Sequence, residues 1–184
     1  MIVDTMPDYQ IRSAVATDIK DLMQIDHSCN SDYVWQLQLN KSGEQVIATL
    51  REVRLPHPIH VTYPRDVLSL VDEWNNCAKM FVAVVDDQKV GYVRIIEQGT
   101  AGAAWVTDLV ISIQKRRLGY GSALIQAAQE WAGGRGLRQI YLEMSSKNFP
   151  AIKLAQKLGY EFCGYNDHYY ATQDIALFFG RMLK

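Results

Sequence analysis

The stretch Arg116-Arg117-Leu118-Gly119-Tyr120-Gly121 lies between an apolar, strand-like run, Val106–Ile113, and a helix-like run, Ser122–Trp131. A strand that turns through glycines into a helix leaves the first amides of the helix without intrahelical partners. These donors and the helix dipole together favour phosphate. Gly119 and Gly121 let a diphosphate approach the main chain closely because they carry no Cβ. The stretch therefore predicts a phosphate-binding turn, and the two arginines add positive charge.

Three phosphate-binding motifs resemble this turn. The Walker loop requires a Gly-Lys-Ser/Thr ending, which does not occur here. The dinucleotide fingerprint requires Gly or Ala at the last position, where this chain has Leu124. The pattern Arg-x-x-Gly-x-Gly fits at each fixed position. An ordinary strand–turn–helix connection with a glycine-rich turn remains the alternative explanation.

Composition narrows the class of protein. The chain has 184 residues, of which 48% are hydrophobic and 21% charged, so we predict one globular domain over residues 1–184. A net charge of −1 argues against a general nucleic-acid or anionic-membrane surface. Apolar runs are too short for a membrane span, and Met1–Gln10 lacks the basic and apolar regions of a signal peptide. We expect a cytoplasmic protein with no nucleic-acid or membrane partner.

Cysteine and histidine usage gives no sign of a disulfide framework or a metal centre. The three cysteines are few, odd in number and widely spaced, which fits a reducing cytoplasm. Of the four histidines, only His57 and His60 are close in sequence, and they lie among prolines. That pair is typical of a surface loop, so no metal is expected.

Hydrophobic periodicity and turn residues predict the elements of the first half. They are a strand over Tyr9–Val15, a helix from Thr17 to about Cys29, a short helix over Tyr33–Leu39, a strand over Gln45–Leu55, an irregular or edge segment over Pro56–Pro64, and a helix over Arg65–Trp74.

The second half has a clearer pattern, which predicts a mixed sheet with helices on its faces. Its elements are strands over Met80–Val85 and Val90–Ile96 joined by a turn at Asp86–Lys89, a turn at Gly99–Gly102, a strand over Ala104–Ile111, a helix after the glycine turn that Gly133 and Gly134 stop, a strand over Gln139–Met144, a helix over Pro150–Leu158, and a final strand pair over Tyr160–Tyr170 and Asp174–Met182.

Further motifs accompany the glycine turn. An apolar strand residue, Ile111, precedes Arg116 by five positions. Downstream stand Asn148-Phe149-Pro150-Ala151 and Leu154-Ala155-Gln156-Lys157-Leu158-Gly159-Tyr160, and the chain opens with Ile11-Arg12-Ser13-Ala14-Val15-Ala16-Thr17-Asp18. In these blocks the sequence resembles the GNAT superfamily of N-acetyltransferases.

The resemblance covers most of the chain from about Gln10 onward. It implies an α/β (α+β) fold: a mixed, mostly antiparallel central sheet of about seven strands, with helices on both faces and a splayed strand pair. Residues 30–66 match the family only loosely, and we expect this variable segment to lie on the acceptor side.

The resemblance also implies acetyl coenzyme A as co-substrate. The diphosphate would be held by the turn, and the pantetheine arm would pair with the main chain of the bulged strand. Asn148 and Ala151 would lie beside the arm, although Asn148 is also a natural helix cap before Pro150. The implied cofactor-binding residues are Leu109, Val110, Ile111, Arg116, Arg117, Leu118, Gly119, Tyr120, Gly121, Ser122, Asn148 and Ala151.

One position departs from the family pattern. The family's general acid is the Tyr of a Leu-Tyr pair, and this chain has Ala155 there. Another residue could supply the proton, water could supply it, or the domain could bind coenzyme A without catalysis. Tyr165 and Tyr169, together with Tyr170, are the replacement candidates, although each could equally be a packing aromatic.

A general base must take the proton of an amine nucleophile. Asp108 lies on the bulged strand and Glu143 on the facing one, and we favour Asp108 slightly. A solvated or hydrogen-bonded strand carboxylate is the alternative for both.

These expectations combine into a functional hypothesis. It is an acetyl-coenzyme-A-dependent N-acetyltransferase that acts on a primary amine of a small molecule or peptide by direct attack in a ternary complex. The alternatives are a non-catalytic acyl-coenzyme-A-binding module or sensor and a different nucleotide-binding enzyme. The segment Tyr169–Phe179 is similar to streptothricin-type acetyltransferases but is too short to name the acceptor. A homodimer is compatible with the sequence, which also leaves the acyl-chain length open.

Overall fold

The structure, a computed structural model, describes residues 9–98 and 102–183. The strands are β1 (Tyr9–Ser13), β2 (Cys29–Ser42), β3 (Gln45–Val61), β4 (Lys79–Val85), β5 (Gln88–Gln98), β6 (Ala103–Ile111), β7 (Gln139–Ser145), β8 (Glu161–Asn166) and β9 (Ala176–Met182). The α-helices are α1 (Ala16–Leu22), α2 (Leu70–Asn76), α3 (Tyr120–Gly134) and α4 (Phe149–Lys157).

A seven-stranded sheet forms the centre of the molecule, in the order β1-β4-β5-β6-β7-β9-β8. Its neighbouring strands are antiparallel except for β6 and β7, which are parallel. The parallel pair arises because α3 forms the crossover between these two strands. The mixed, mostly antiparallel sheet predicted from the sequence is confirmed.

Each face of the sheet buries its own apolar cluster. Helices α3 and α4 cover the larger cluster, which includes Leu124, Ile140 and Ile152. Helices α1 and α2 cover the smaller cluster, which includes Leu22 and Tyr92. Because side chains alternate along a strand, one strand contributes to both clusters and joins them through the sheet.

Strands β6 and β7 diverge part-way along their length. Their pairing runs from Ala103 opposite Gln139 to Val106 opposite Leu142 and then ends. Beyond that point β6 stays with β5 and β7 stays with β9. A bulge at Thr107 accompanies the divergence, since the β5–β6 register shifts there. We call the resulting gap the cleft, and it confirms the predicted splayed pair.

The variable segment differs from its prediction. The short helix predicted over Tyr33–Leu39 is wrong, because these residues belong to β2, which pairs with β3 in a long two-stranded hairpin. Cross-strand pairing of Trp35, Leu37 and Leu39 on one face of the ribbon overrides their local helical spacing. Strand β3 also continues through the prolines to Val61, which an edge strand tolerates.

Several helix boundaries also differ. The first helix ends at Leu22 rather than near Cys29. The helix predicted over Arg65–Trp74 begins with a 3₁₀ turn at Val67–Ser69 before α2. Helix α3 ends at Gly134, within the glycine pair expected to stop it, and left-handed Gly136 (φ +74°) follows its end. The turn predicted at 99–102 lies, apart from Gly102, outside the described residues.

Candidate active site

The start of α3 presents unpaired main-chain donors. Gly119 precedes the helix in a left-handed conformation (φ +91°), and no side chain caps the helix. The first intrahelical bond runs from the Ala123 amide to the Gly119 carbonyl at 3.0 Å. The amides of Tyr120, Gly121 and Ser122 therefore have no intrahelical acceptor. An anion can bind there with the helix dipole behind it.

Gly121 keeps this end of the helix open to the cleft. A Cβ at this position would lie 3.3 Å from Leu154 Cδ2 on α4 and 3.9 Å from Leu109 Cδ2 on β6. A larger side chain would thus fill the passage between the helix start and the cleft. Tyr120 contributes only its main chain to the turn, because its ring is buried in the main core.

The two arginines of the turn have different surroundings. Arg116 folds back: its Nε donates to the Ile111 carbonyl at 2.9 Å, and its Nη2 donates to the Ser28 carbonyl at 2.6 Å. Its guanidinium thus ties the turn to β6 and to the segment before β2. Arg117 and Leu118 are exposed, and Arg117 has a positive φ of 66°. Arg117 is therefore the arginine of the turn that is free to meet an anion.

The main chain of β6 offers hydrogen-bonding groups to the cleft at alternate residues. The Ser112 amide donates to the Val90 carbonyl at 2.8 Å, and in that register Val110 pairs with Tyr92. Antiparallel alternation then points the main-chain groups of Val110 at β5 and those of Leu109 and Ile111 at the cleft. The expectation for Val110 is corrected accordingly: its amide and carbonyl face β5, and its side chain is buried in the smaller cluster.

Helix α4 forms the other wall of the cleft. Asn148 Oδ1 caps the helix by accepting from the Ala151 amide at 3.2 Å, which leaves its Nδ2 group for the cleft. Asn148, Ala151 and Leu154 line the cleft. Ala155 does not, since it is fully buried in the main core.

Asp108 is a buried and fully engaged carboxylate. Its side chain has no exposed surface and accepts from Arg94 Nε at 2.6 Å, Arg65 Nη1 at 3.0 Å and the Tyr63 hydroxyl. Burial alone would raise the pKa of Asp108, but the charges of Arg65 and Arg94 hold it below its ordinary value. Asp108 therefore stays ionised near neutral pH.

Glu143 faces Asp108 from β7 and has the opposite pKa shift. Burial raises the pKa of Glu143 above its ordinary value, and the nearby charge of Arg65 offsets this only in part. Its side chain is 3% exposed although the residue as a whole is half-buried, so the exposed part is main chain beside the cleft. A carboxylate with a raised pKa is better suited to exchange a proton near neutral pH.

The tyrosines considered as proton donors differ in whether they reach Glu143. The hydroxyl of Tyr169 donates to Glu143 Oε2 at 3.2 Å, and that of Tyr170 donates to Glu143 Oε1 at 3.3 Å. Tyr165 is not brought to this site: it lies on edge strand β8 and packs against the main core. The expectation that Tyr165 projects into the cleft is therefore corrected.

Sequence reasoning named Tyr63 as a residue of the acceptor side, but it missed Arg65 and His27, which line the cleft with Tyr63 from the variable segment and the loop before β2. His27 lies against Tyr63, with ring centroids 4.8 Å apart. Their signal in the sequence was weak because the segment matches no local motif, and only folding brings it over the cleft. The described residues hold no cluster of His, Cys, Asp or Glu suited to a metal ion.

Comparisons with known proteins agree with this geometry. The sequence profile of the Acetyltransferase (GNAT) family matches residues 44–160, which include the glycine turn, the cleft and α4. The chain belongs to the GNAT family of acetyltransferases. It is accordingly an N-acetyltransferase enzyme that uses acetyl coenzyme A as acetyl donor.

Two curated relatives differ in named activity. A streptothricin acetyltransferase of Streptomyces lavendulae is 26% identical over 167 residues, covering 88% of this chain and 86% of the relative. An N-alpha-acetyltransferase of Sulfurisphaera tokodaii is 39% identical over 110 residues, covering 54% of this chain and 66% of the relative. The first match is longer, and the second is more similar over its shorter length.

Two solved structures share the fold. Nourseothricin acetyltransferase superposes with a TM-score of 0.81 at 26% identity, covering 96% of this chain and 99% of that chain. A Bacillus anthracis protein, reported as a streptothricin acetyltransferase in complex with acetyl coenzyme A, gives a TM-score of 0.73 at 21% identity, covering 95% and 99%. That second likeness concerns the fold alone.

The helices of the described part of the chain do not meet the requirements of a membrane-spanning helix. Among residues 9–98 and 102–183, no helix combines the length and the apolar composition that a bilayer crossing needs.

Proposed function

We propose that this acetyltransferase moves an acetyl group to a primary amine, of a small molecule or of a peptide, by direct attack in a ternary complex. The observation that carries the proposal is the placement of Glu143, whose buried carboxylate has a raised pKa, beside the cleft where β6 and β7 diverge. The cleft joins the open amides at the start of α3 to this carboxylate. A donor and an acceptor can therefore meet there from opposite faces of the sheet.

The residues around the cleft fit acetyl coenzyme A, which supplies an activated acetyl group. The amides of Tyr120, Gly121 and Ser122 and the exposed Arg117 would hold the diphosphate. The main chains of Leu109 and Ile111 would pair with the pantetheine arm, and the Leu109 amide would polarise the thioester carbonyl. Ala151 and Leu154 would line the arm, with Asn148 Nδ2 beside it.

Glu143 would act as the general base, rather than Asp108. Asp108 makes ion pairs with two arginines and a hydrogen bond with Tyr63, so its lone pairs are occupied and its pKa is lowered. Glu143 would take the proton of the acceptor amine as the N–C bond forms and the C–S bond breaks. The departing thiolate then takes a proton from solvent or from protonated Glu143, so that coenzyme A leaves as the thiol.

The alanine at position 155 fits this mechanism. A thiol has a pKa near about 8.5, so thiolate departure needs no strong acid. Tyr169, whose hydroxyl reaches Glu143, would support the carboxylate and remains a candidate to return the proton.

The acceptor would enter from the face that carries Glu143, Tyr169 and the variable segment. We favour a small-molecule amine, because the likeness to nourseothricin acetyltransferase extends over 96% of the chain and so includes that segment. The shorter match to an N-alpha-acetyltransferase keeps a peptide amino group as the second acceptor class.

A direct test measures coenzyme A thiol release with acetyl coenzyme A and a panel of acceptors. The panel contains streptothricin-type antibiotics, simple diamines and peptides with free or blocked amino termini. We expect turnover with the antibiotics or diamines. Turnover only with free peptide amino termini would assign the second class, and tight binding of acetyl coenzyme A without any turnover would contradict the proposal.

Glu143→Gln tests the base. The variant should lose roughly 10²–10⁴-fold in kcat, together with the acidic limb of the pH profile of kcat/KM, because an amide cannot accept the proton. Affinity for coenzyme A should be unchanged. Glu161→Gln, at an exposed strand position, is the matched control and should behave as wild type. An acidic limb that persists in Glu143→Gln would remove Glu143 as the base.

A further inference from the structure

Arg65 connects the two diverging strands. Its Nη1 lies 3.0 Å from both the Thr107 carbonyl and Asp108 Oδ1 on β6. Its Nη2 donates to Glu143 Oε1 on β7. Arg65 itself belongs to neither strand, since it lies in the connection between β3 and the 3₁₀ turn at Val67–Ser69. Its guanidinium therefore bridges the cleft from outside the sheet.

The segment around Arg65 is held in place from both sides. On the chain side, Asp66 accepts from the Leu68 amide at 2.9 Å, and its carbonyl accepts from the Ser69 hydroxyl at 2.6 Å. On the cleft side, the Arg65 guanidinium lies 5.4 Å from the centroid of the Tyr170 ring. A planar guanidinium fixed in this way can hold two carboxylates in a defined geometry, which a lysine ammonium cannot.

This arrangement makes the two oxygens of Glu143 unequal. Oε1 accepts from Arg65 and from the Tyr170 hydroxyl. Oε2 accepts from the hydroxyl of Tyr169, whose residue is 43% exposed. One oxygen is therefore fixed by the half-buried Arg65 and the buried Tyr170, and the other lies on the side of the exposed Tyr169.

We propose that Arg65 is a positioning residue of the acetyl-transfer site, whose guanidinium fixes one oxygen of Glu143 and leaves the other to take the proton of the acceptor amine. This inference rests on the proposed function of Glu143. It assigns to the variable segment a part in setting the geometry of the base, in addition to forming the acceptor side. Arg65 acts through Glu143 and does not itself need to touch the reacting atoms.

The charges around Glu143 determine the sign of the expected pH effect. The groups that face it are Arg65 from the segment after β3, Asp108 from β6, and Tyr169 and Tyr170 from the connection between β8 and β9. Burial and the Asp108 charge raise the pKa of Glu143, whereas Arg65 lowers it. Loss of the Arg65 charge should therefore move the titration of Glu143 to higher pH.

The test compares the pH profile of kcat/KM in Arg65→Gln and Arg65→Lys. For Arg65→Gln we expect the acidic limb to move up by roughly 1–2 pH units and kcat to fall by roughly tenfold or more. For Arg65→Lys we expect the acidic limb to stay near its wild-type position, because the positive charge is kept. The kcat should still fall, because an ammonium lacks the planar pair of donors of a guanidinium. The KM for acetyl coenzyme A should not change in either variant.

Arg135→Gln is the matched control. It removes an exposed arginine whose ion pair with Glu97 (2.9 Å) lies at the far end of α3, so both limb and kcat should remain as in wild type. An unmoved limb in an active Arg65→Gln enzyme would overturn the proposal. If Arg65→Gln does not fold, Arg65→Lys decides: a wild-type kcat overturns the proposal, and a lowered kcat with an unmoved limb supports it. A limb that survives in Glu143→Gln would instead refute the assignment of the base.

Discussion

At the scale of single residues, the environment separates two carboxylates that the sequence leaves nearly equivalent. Asp108 and Glu143 both lie on strands that border the cleft, and the sequence slightly favours Asp108 as the base. The structure gives Asp108 two arginine partners and lowers its pKa, while burial raises the pKa of Glu143. The same chemical group is thereby suited to anchoring in one place and to proton transfer in the other.

Asp108→Asn should destabilise the fold more than it alters the chemistry. The substitution leaves Arg65 and Arg94 with one carboxylate fewer in a buried site, which costs about 3 kcal/mol of unfolding free energy. Urea unfolding followed by circular dichroism measures this free energy. The control Asp32→Asn, at an exposed position, should change the free energy of unfolding by less than about 0.5 kcal/mol. Wild-type stability in Asp108→Asn would contradict the structural role.

The same residue sets a pH dependence. Because the folded pKa of Asp108 is depressed, its contribution to stability is present above its ordinary unfolded value, near about pH 4, and is lost as pH falls through the folded value. Wild-type unfolding free energy should therefore fall more steeply below that pH than that of Asp108→Asn. Parallel curves for the two proteins would contradict this expectation.

At the scale of elements, the turn before α3 and the cleft form the surface that we propose to bind coenzyme A. The left-handed Gly119 sets the direction of the helix start, and the open amides that follow face the passage beside Gly121. The hairpin of β2 and β3 contributes differently, because its base packs on the main core through Trp35 and Leu50 while its tip is exposed. The site thus depends on the base of the hairpin and on the connection that follows it.

Gly119→Asp should abolish coenzyme A binding, because a carboxylate at the helix start repels the diphosphate. Gly136→Asp is the matched control: Gly136 also has a positive φ and open space around it, but it lies beyond the other end of α3. Calorimetric titration with coenzyme A should detect binding in the control alone. Equal affinity in the two variants would remove the turn as the diphosphate site.

At the scale of the whole molecule, the cleft lies between two cores that share one sheet. Trp131 packs against the cluster under α3 and α4, and Trp74 against the cluster under α1 and α2. The bulge and the divergence of β6 and β7 open the sheet between them. In the proposed mechanism, donor and acceptor would enter this opening from opposite faces.

We propose that residues 1–184 form a single domain that unfolds in one transition, because β4, β5 and β6 each contribute side chains to both clusters. Variants that keep either Trp74 or Trp131 as the sole tryptophan report on one face each. In each variant, the urea midpoint measured by tryptophan fluorescence should equal the midpoint measured by circular dichroism. Two separate transitions within one variant would indicate independent units.

The sequence predicts well wherever a local pattern carries the information. The glycine turn, the strand before it and the helix after it lie within about thirty residues and follow from hydrophobic period and turn chemistry. The helix predicted over Tyr33–Leu39 failed because pairing with β3 decides the conformation of those residues. The role expected of Val110 failed because the direction of its amide depends on register with β5.

The sequence by itself determined the family and the strand–turn–helix around Gly119, because each depends on motifs whose residues are close together in the chain. Only the tertiary structure decided the surroundings of the carboxylate that we propose as base, since Arg65 reaches Glu143 from 78 positions away in the chain. Burial and charge act through space, and the pKa values of Asp108 and Glu143 separate only once the sheet, the hairpin and the connection after β3 come together.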